Sequence, residues 1–280
     1  MTITEFTNQF KSILQSKFSE SELKNHLAIL YEFYLEYNRA QVVMNTQELI
    51  LEETLDKLNA AIRELEKNKP IDYIINQNIF YGRDFFVDES VLVPRSETEE
   101  LVQWILEREE TKGKTILDIG TGSGCIPITL FLEGDFEKVD ATEVSETATK
   151  TAIKNAALLN AKVEVVVHDI LTQVPKELYD IVVSNPPYVK REELEALDKN
   201  VIEYEPVIAL APESDDALLF YKRMVEIAPK MIKQKGILYW EIHEDLGKEC
   251  ISILKNGGFE QVELKEDIYG RDRMIRAVLS

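Results

Sequence analysis

The sequence predicts an α/β protein, with a doubly wound, mostly parallel sheet following a helical bundle. Three observations carry that expectation. Residues 1–69 hold no glycine or proline and repeat apolar side chains at helical spacing. From about residue 97, short apolar runs alternate with helical stretches, the pattern of parallel strands joined by crossover helices. The first of those runs ends in a glycine-rich turn that opens a helix.

Within the predicted bundle, Ser19-x-x-Glu22 reads as a capping box, followed by Leu23, Leu27, Leu30, Tyr31 and Tyr34. Asn45-x-x-Glu48 reads as a second, opening a helix with Leu49, Leu51, Leu55, Leu58 and Ile62 on one stripe. Residues 70–96 are aromatic and β-prone around Phe80-Tyr81-Gly82 and Phe85-Phe86-Val87, which predicts a β-hairpin linker. The third segment, 97–280, opens with a helix over Glu97–Glu110. Five strands are expected at Thr115–Ile119, Val139–Thr142, Val163–Val167, Ile181–Val183 and Ile237–Ile242. Two more, Gln261–Leu264 and Met274–Leu279, have no helix between them and so imply an antiparallel edge.

Composition narrows the function. With 32 Lys+Arg against 51 Asp+Glu, the formal charge is −19. A nucleic-acid backbone is normally met by a basic surface, so direct nucleic-acid binding is not expected. The two cysteines, Cys125 and Cys250, cannot form a disulfide framework, which favours a reducing, cytoplasmic setting. No secretory signal opens the chain, and no apolar run is long enough to cross a membrane. The three histidines are scattered, so no metal site is expected.

The first strand ends in Asp118-Ile119-Gly120-Thr121-Gly122-Ser123-Gly124. Glycines let a ligand approach the backbone, and the turn and helix start offer free N–H groups. The spacing is G-x-G-x-G, tighter than that of dinucleotide binders. It suits a nucleoside with an amino acid tail, S-adenosylmethionine. Glu143 closes the second strand 23 residues after Gly120, where an acid can accept from both ribose hydroxyls. At the end of the third strand, Asp169 is expected to take the adenine amino hydrogen and Ile170 to lie on the base. His168 reads as a partly exposed strand-end histidine.

The fourth strand delivers Asn185-Pro186-Pro187-Tyr188. The prolines fix φ and remove donors, leaving the Asn185 and Pro186 carbonyls free to accept. Such acceptors can hold both hydrogens of a planar NH2 group, with the Asn185 amide and the Tyr188 ring orienting it. An amide nitrogen is a poor nucleophile because its lone pair is delocalised. Hydrogen bonds to both N–H groups return density to it, and alignment supplies the rest. No strong base is needed beforehand, since the proton leaves once the nitrogen is cationic.

The chain resembles the HemK/PrmC family, the glutamine N5-methyltransferases of peptide chain release factors. The resemblance runs from about Pro70 to the C-terminus, and the helical N-terminal segment suits the family's architecture. It rests on Val91-Leu92-Val93-Pro94-Arg95-Ser96-Glu97-Thr98-Glu99, the Asp118–Gly124 loop, Val183-Ser184-Asn185-Pro186-Pro187-Tyr188, Tyr204-Glu205-Pro206 and Gly270-Arg271-Asp272-Arg273. It implies a Rossmann-like class I S-adenosylmethionine-dependent methyltransferase with a seven-stranded sheet; a cytoplasmic setting is expected from the cysteines, and a monomer is expected. It implies a substrate too, the glutamine of a Gly-Gly-Gln motif in class 1 release factors, held in part by the N-terminal bundle. The cofactor would contact Asp118, Gly120, Thr121, Gly122, Ser123, Gly124, Glu143, Asp169, Ile170 and Asn185. The substrate amide would meet Asn185, Pro186, Pro187 and Tyr188.

The chain departs from the family at Ala211-Pro212-Glu213-Ser214-Asp215-Asp216-Ala217, where a glycine-containing turn is usual. It departs again at Glu241-Ile242-His243 and at Glu143, where the family usually has Asp. The main alternative is an N6-adenine or N2-guanine methyltransferase using the same tetrapeptide on a flipped base of DNA or RNA. A non-catalytic binding module would be expected to lose a loop glycine or Asn185, and all are present.

Overall fold

The structure, a computed structural model, describes residues 1–280, the side chain of Lys199 excepted. The chain forms two compact units, one of Met1–Asn76 with Asp198–Tyr204 and one of Gln77–Leu197 with Glu205–Ser280.

The first unit contains α1 (Ile3–Leu14), α2 (Glu20–Leu35), α3 (Arg39–Met44), α4 (Glu52–Leu65) and α5 (Ile71–Ile75). Its core is apolar, built on Phe6, Phe10, Leu14, Leu23, Leu27, Leu30, Leu58, Ile62 and Leu65. The Ser19 capping box forms in both directions, as do two others at Thr2/Glu5 and Asn38/Gln41. The box expected at Asn45-x-x-Glu48 does not form. Residues 45–50 pair with the N-terminus instead: Ile3 N donates to Glu48 O, Thr4 N to Thr46 O and Ile50 N to Met1 O. A segment whose backbone groups are spent on another part of the chain cannot also propagate a helix. α4 therefore starts seven residues later than that box, at Glu52, and Leu49 and Leu51 stand exposed.

In the second unit β1 (Asn78–Phe80) and β2 (Arg83–Phe85) form an antiparallel hairpin across Tyr81-Gly82, both at positive φ. The compact bundle unit ends at Asn76, so the hairpin occupies only 78–85 of the expected linker. Val91–Val93 is irregular, with Val91 and Val93 buried.

There follow α6 (Ser96–Arg108), β3 (Thr115–Ile119), α7 (Cys125–Glu133), β4 (Lys138–Glu143), α8 (Glu146–Leu158), β5 (Glu164–Val167) and β6 (Tyr179–Ser184). The short helices α9 (Arg191–Leu194), α10 (Lys199–Tyr204) and α11 (Val207–Leu210) come next, α10 belonging to the first unit. The chain ends with α12 (Leu219–Met231), β7 (Ile232–Glu241), α13 (Gly247–Asn256), β8 (Phe259–Glu266) and β9 (Asp272–Leu279).

The seven-stranded sheet has the order β5-β4-β3-β6-β7-β9-β8, with β9 antiparallel to both neighbours and the other six strands running in one direction. Alternate residues feed opposite cores: Leu117, Val182, Leu238 and Trp240 face one, Ile116, Ile181, Val183 and Tyr239 the other. From β3 the chain winds outward through β4 to β5, then returns to lay β6 on the other side of β3. That reversal makes a switch point, where loops at the carboxyl ends of strands part to leave a crevice.

Candidate active site

A cavity of about 290 Å³ opens at those carboxyl ends. Gly120, Thr121, Gly122 and Ser123 after β3, Glu143 at the end of β4, Asp169 and Ile170 after β5, and Asn185, Pro186 and Pro187 after β6 all line it. Sequence elements up to 67 residues apart thus meet in one crevice because each follows a strand of the same parallel set.

The glycine loop is shaped for a ligand. Gly122 has φ +54° with nothing within 4 Å of where a Cβ would stand, so the requirement is conformational and the space beside it is open. Gly124 has φ +81°, and a Cβ there would come 2.9 Å from Ile128 Cδ1, so it also sets the close packing of α7. Glu143 Oε2 accepts from Gly122 N at 2.9 Å and Oε1 from Ser145 N at 3.0 Å, which fixes the carboxylate against the loop. Asn155 on α8, fully buried, ties the loop to the hairpin: Nδ2 donates to Ser123 O and Phe86 O, and Oδ1 accepts from Phe86 N.

Asp118 lies beneath the loop rather than in the cavity wall. No well-formed hydrogen bond reaches either of its carboxylate oxygens among the described residues, and the nearby Thr121 hydroxyl and Ile119 N–H make only weak approaches to it. Burial pushes the Asp118 carboxyl up to about 7, with the Thr121 hydroxyl pulling down and the Glu143 charge adding to the rise. Most of the loop N–H groups expected to be free are spent, Gly120 N and Thr121 N on Thr142 O, Gly122 N on Glu143 and Gly124 N on Thr121 O, so it is the buried acid beside the open loop that fits a ligand bringing positive charge and polar atoms.

At the other two strand ends the structure adds to the sequence reading. Asp169 caps its own turn, Oδ1 accepting from Leu171 N and Oδ2 from the Thr172 hydroxyl. His168 is more than a strand-end residue. It lines the cavity, its Nε2 is buried without a partner among the described residues, and burial holds its pKa below the usual imidazole value. Cys125 also lines the cavity, and burial pushes its thiol up to about 12, which disfavours the thiolate form.

After β6 neither the Asn185 nor the Pro186 carbonyl accepts a hydrogen bond from the described residues. The Asn185 side chain donates through Nδ2 to Thr98 Oγ1 at 3.1 Å, and Thr98 Oγ1 donates to Glu241 Oε2 at 2.7 Å. Tyr188 differs from expectation. It is absent from the cavity lining, and its hydroxyl donates to Glu241 Oε1 at 3.0 Å. The sequence reading assigned a role to the ring, whereas here the hydroxyl is engaged. Thr98 and Glu241 escaped sequence reasoning because they are 143 residues apart and no local signal joins them. Arg95, on the cavity wall, donates to both oxygens of the buried Glu205 at 2.7 and 2.8 Å, a pairing equally invisible in sequence.

Glu193, His243 and Asp245 bring ligand-type atoms within 4.8 Å of one another. Lys190 Nζ lies 3.3 Å from Glu193 and 3.4 Å from Asp245, so a side chain already supplies the positive charge there.

The sheet order, the switch-point cavity and the G-x-G-x-G loop define a class I S-adenosylmethionine-dependent methyltransferase. Two solved structures share the fold at low sequence identity. A methyltransferase from Pyrococcus furiosus aligns at TM-score 0.52 and 20% identity, over 77% of this chain and 96% of that one. The hMettl16 catalytic domain, in complex with MAT2A 3′UTR hairpin 6, aligns at TM-score 0.54 and 18% identity, over 82% of each chain. Residues 97–212 match the methyltransferase small domain and residues 5–75 the PrmC N-terminal domain. A release factor glutamine methyltransferase of Flavobacterium psychrophilum is 40% identical over 281 residues, 99% of both chains. One from Bacillus subtilis is 38% identical over 261 residues, 90% of both. The chain belongs to the release factor glutamine methyltransferase family.

Proposed function

We propose that this enzyme methylates the side-chain amide nitrogen of the glutamine in a Gly-Gly-Gln motif of class 1 release factors. The observation that carries the reading is the Asn185 amide, held by Thr98 at the cavity wall beside two unpaired backbone carbonyls. When bound, S-adenosylmethionine supplies an electrophilic methyl group. Gly120 to Gly124 would hold its amino acid end above Asp118, and Glu143 its ribose. Asn185 Oδ1 and the Pro186 carbonyl accept the two amide hydrogens of the substrate. They fix its plane and raise electron density on the nitrogen. A nucleobase amine offers similar hydrogens, but the full-length relatives carry glutamine in their names, which favours the amide.

The bundle would hold the protein substrate. Val43, Met44, Leu49 and Leu51 present exposed apolar surface there, with Met44 80% exposed. The test is single-turnover methylation of a purified release factor at saturating cofactor. Asn185→Ala lowers the rate by about 10²–10³, the usual cost of one preorganised hydrogen bond. Cofactor affinity changes far less. Equal rates for the variant and the wild type would leave the tetrapeptide a structural turn.

A further inference from the structure

We infer that Thr98 and Glu241 form a polar relay that sets which end of the Asn185 amide faces the substrate, and that the relay works only while Glu241 is ionised. The inference rests on the function proposed above and deepens it. A threonine hydroxyl has one hydrogen. Thr98 spends it on Glu241 Oε2 at 2.7 Å, so toward Asn185 it can only accept. Asn185 must then turn its Nδ2 to Thr98, at 3.1 Å, which leaves Oδ1 for the cavity. An acceptor facing the cavity is what an incoming NH2 group requires. The same side chain turned over would set donor against donor. Asn185 alone does not fix this choice, because its two ends are nearly the same shape.

Glu241 anchors both sides of the site. Its second oxygen accepts from the Tyr188 hydroxyl at 3.0 Å. The residue is 1% exposed at the end of β7. The groups facing it are Glu97 and Thr98 of α6, Cys125 of α7, Tyr188 after β6, Tyr221 of α12 and Arg273 of β9. Burial, with Glu97, raises its affinity for a proton, while Arg273 and the two hydroxyls oppose the rise. Once protonated, the carboxyl must donate. Donating along the shorter bond to Thr98 releases the threonine hydrogen toward Asn185, and the amide turns over. Thr98 stands in the cavity wall with its hydroxyl spent on Glu241 and Asn185, and Glu241 lies behind it, so both act through Asn185 in this scheme. They are positioning residues.

Two measurements test the relay. The first needs no protein substrate. In the full chain with S-adenosylhomocysteine bound, the side-chain NH2 signals of 15N-labelled Asn185, assigned by their loss in Asn185→Ala, are followed against pH. They should titrate with an inflection above the ordinary carboxylate range and stay flat in Glu241→Gln. A flat wild-type profile overturns the relay. The second is the pH profile of single-turnover methylation of a release factor. Thr98→Val should lose on the order of 10²-fold in rate, the scale of a misplaced reacting group, with cofactor affinity and release-factor KM within a few-fold. Thr98→Ser should restore most of that loss. The wild-type acid limb should disappear in Glu241→Gln, whose side-chain oxygen can still accept from Thr98. A Thr98→Val rate equal to wild type also overturns the relay. A wild type inert toward the release factor defeats the proposed substrate, and the Asn185 titration still decides the relay.

Discussion

The two units bury different kinds of residue. The bundle core of Phe6, Phe10, Leu14, Leu30, Leu58 and Leu65 is apolar, and among the described residues every buried polar or charged side chain lies in the second unit. There Asp118, Thr121, Ser123, Glu143, Ser184 and Glu241 collect around the carboxyl ends of the parallel strands. Burying a polar group costs free energy unless it is satisfied, so a core assembled for stability alone leaves such groups out. The bundle spends its burial on holding together, whereas the sheet unit gives up some stability to hold polar atoms in fixed places.

The largest expected effect breaks the apolar side of that contrast. Leu58→Ala opens a hole in a fully buried position and should cost about 2–5 kcal/mol, read by denaturant unfolding of the full chain. The stabilisation of the second unit by cofactor should persist. Gly122→Val acts on the other side. A β-branched residue at φ +54° is strained, and its side chain would take the open space beside the loop. The rise in melting temperature that S-adenosylmethionine gives the wild type by mass action should vanish in the variant. A wild type that shifts with NAD and not with S-adenosylmethionine would overturn the cofactor assignment.

Met44→Glu probes the exposed face of the bundle. It should raise the release-factor KM about tenfold, roughly 1.4 kcal/mol, with kcat and cofactor affinity little changed. An unaltered KM would give this surface another role.

A pH-dependent contrast concerns Asp118. Its folded pKa of about 7 lies above the ordinary value of 3.8, so the folded cofactor-free protein binds that proton more tightly than the unfolded chain. The stability this contributes is present below about pH 4 and is lost as pH rises through 7. Asp118→Asn cannot titrate. The difference in melting temperature between variant and wild type should therefore grow in favour of the variant from pH 4 to 7. Bound S-adenosylmethionine, a cation, should shrink that slope. A difference independent of pH would mean that Asp118 is paired in solution.

Much of the fold was legible because its signals are local. Apolar runs placed all seven strands of the large sheet, and the glycine spacing, Glu143, Asp169-Ile170 and Asn-Pro-Pro-Tyr marked all four strand ends that build the cavity. Where sequence reading failed, a distant partner had competed for the same backbone or side chain. The Asn45 box has the right residues for a helix start, but the N-terminal segment claims its backbone. Tyr188 has a ring suited to packing on an amide, but Glu241 claims its hydroxyl.

The sequence by itself determined the strands, the glycine loop and the Asn-Pro-Pro-Tyr turn, because strand alternation and turn chemistry are written within a few neighbouring positions. Only the tertiary structure decided that β3 and β6 lie side by side, that Asp118 is sealed without a partner, and that Thr98 and Glu241 reach Asn185 from 87 and 56 residues away. Hydrogen-bond direction and burial depend on what the folded chain brings within about 3 Å, and separation along the sequence carries no record of it.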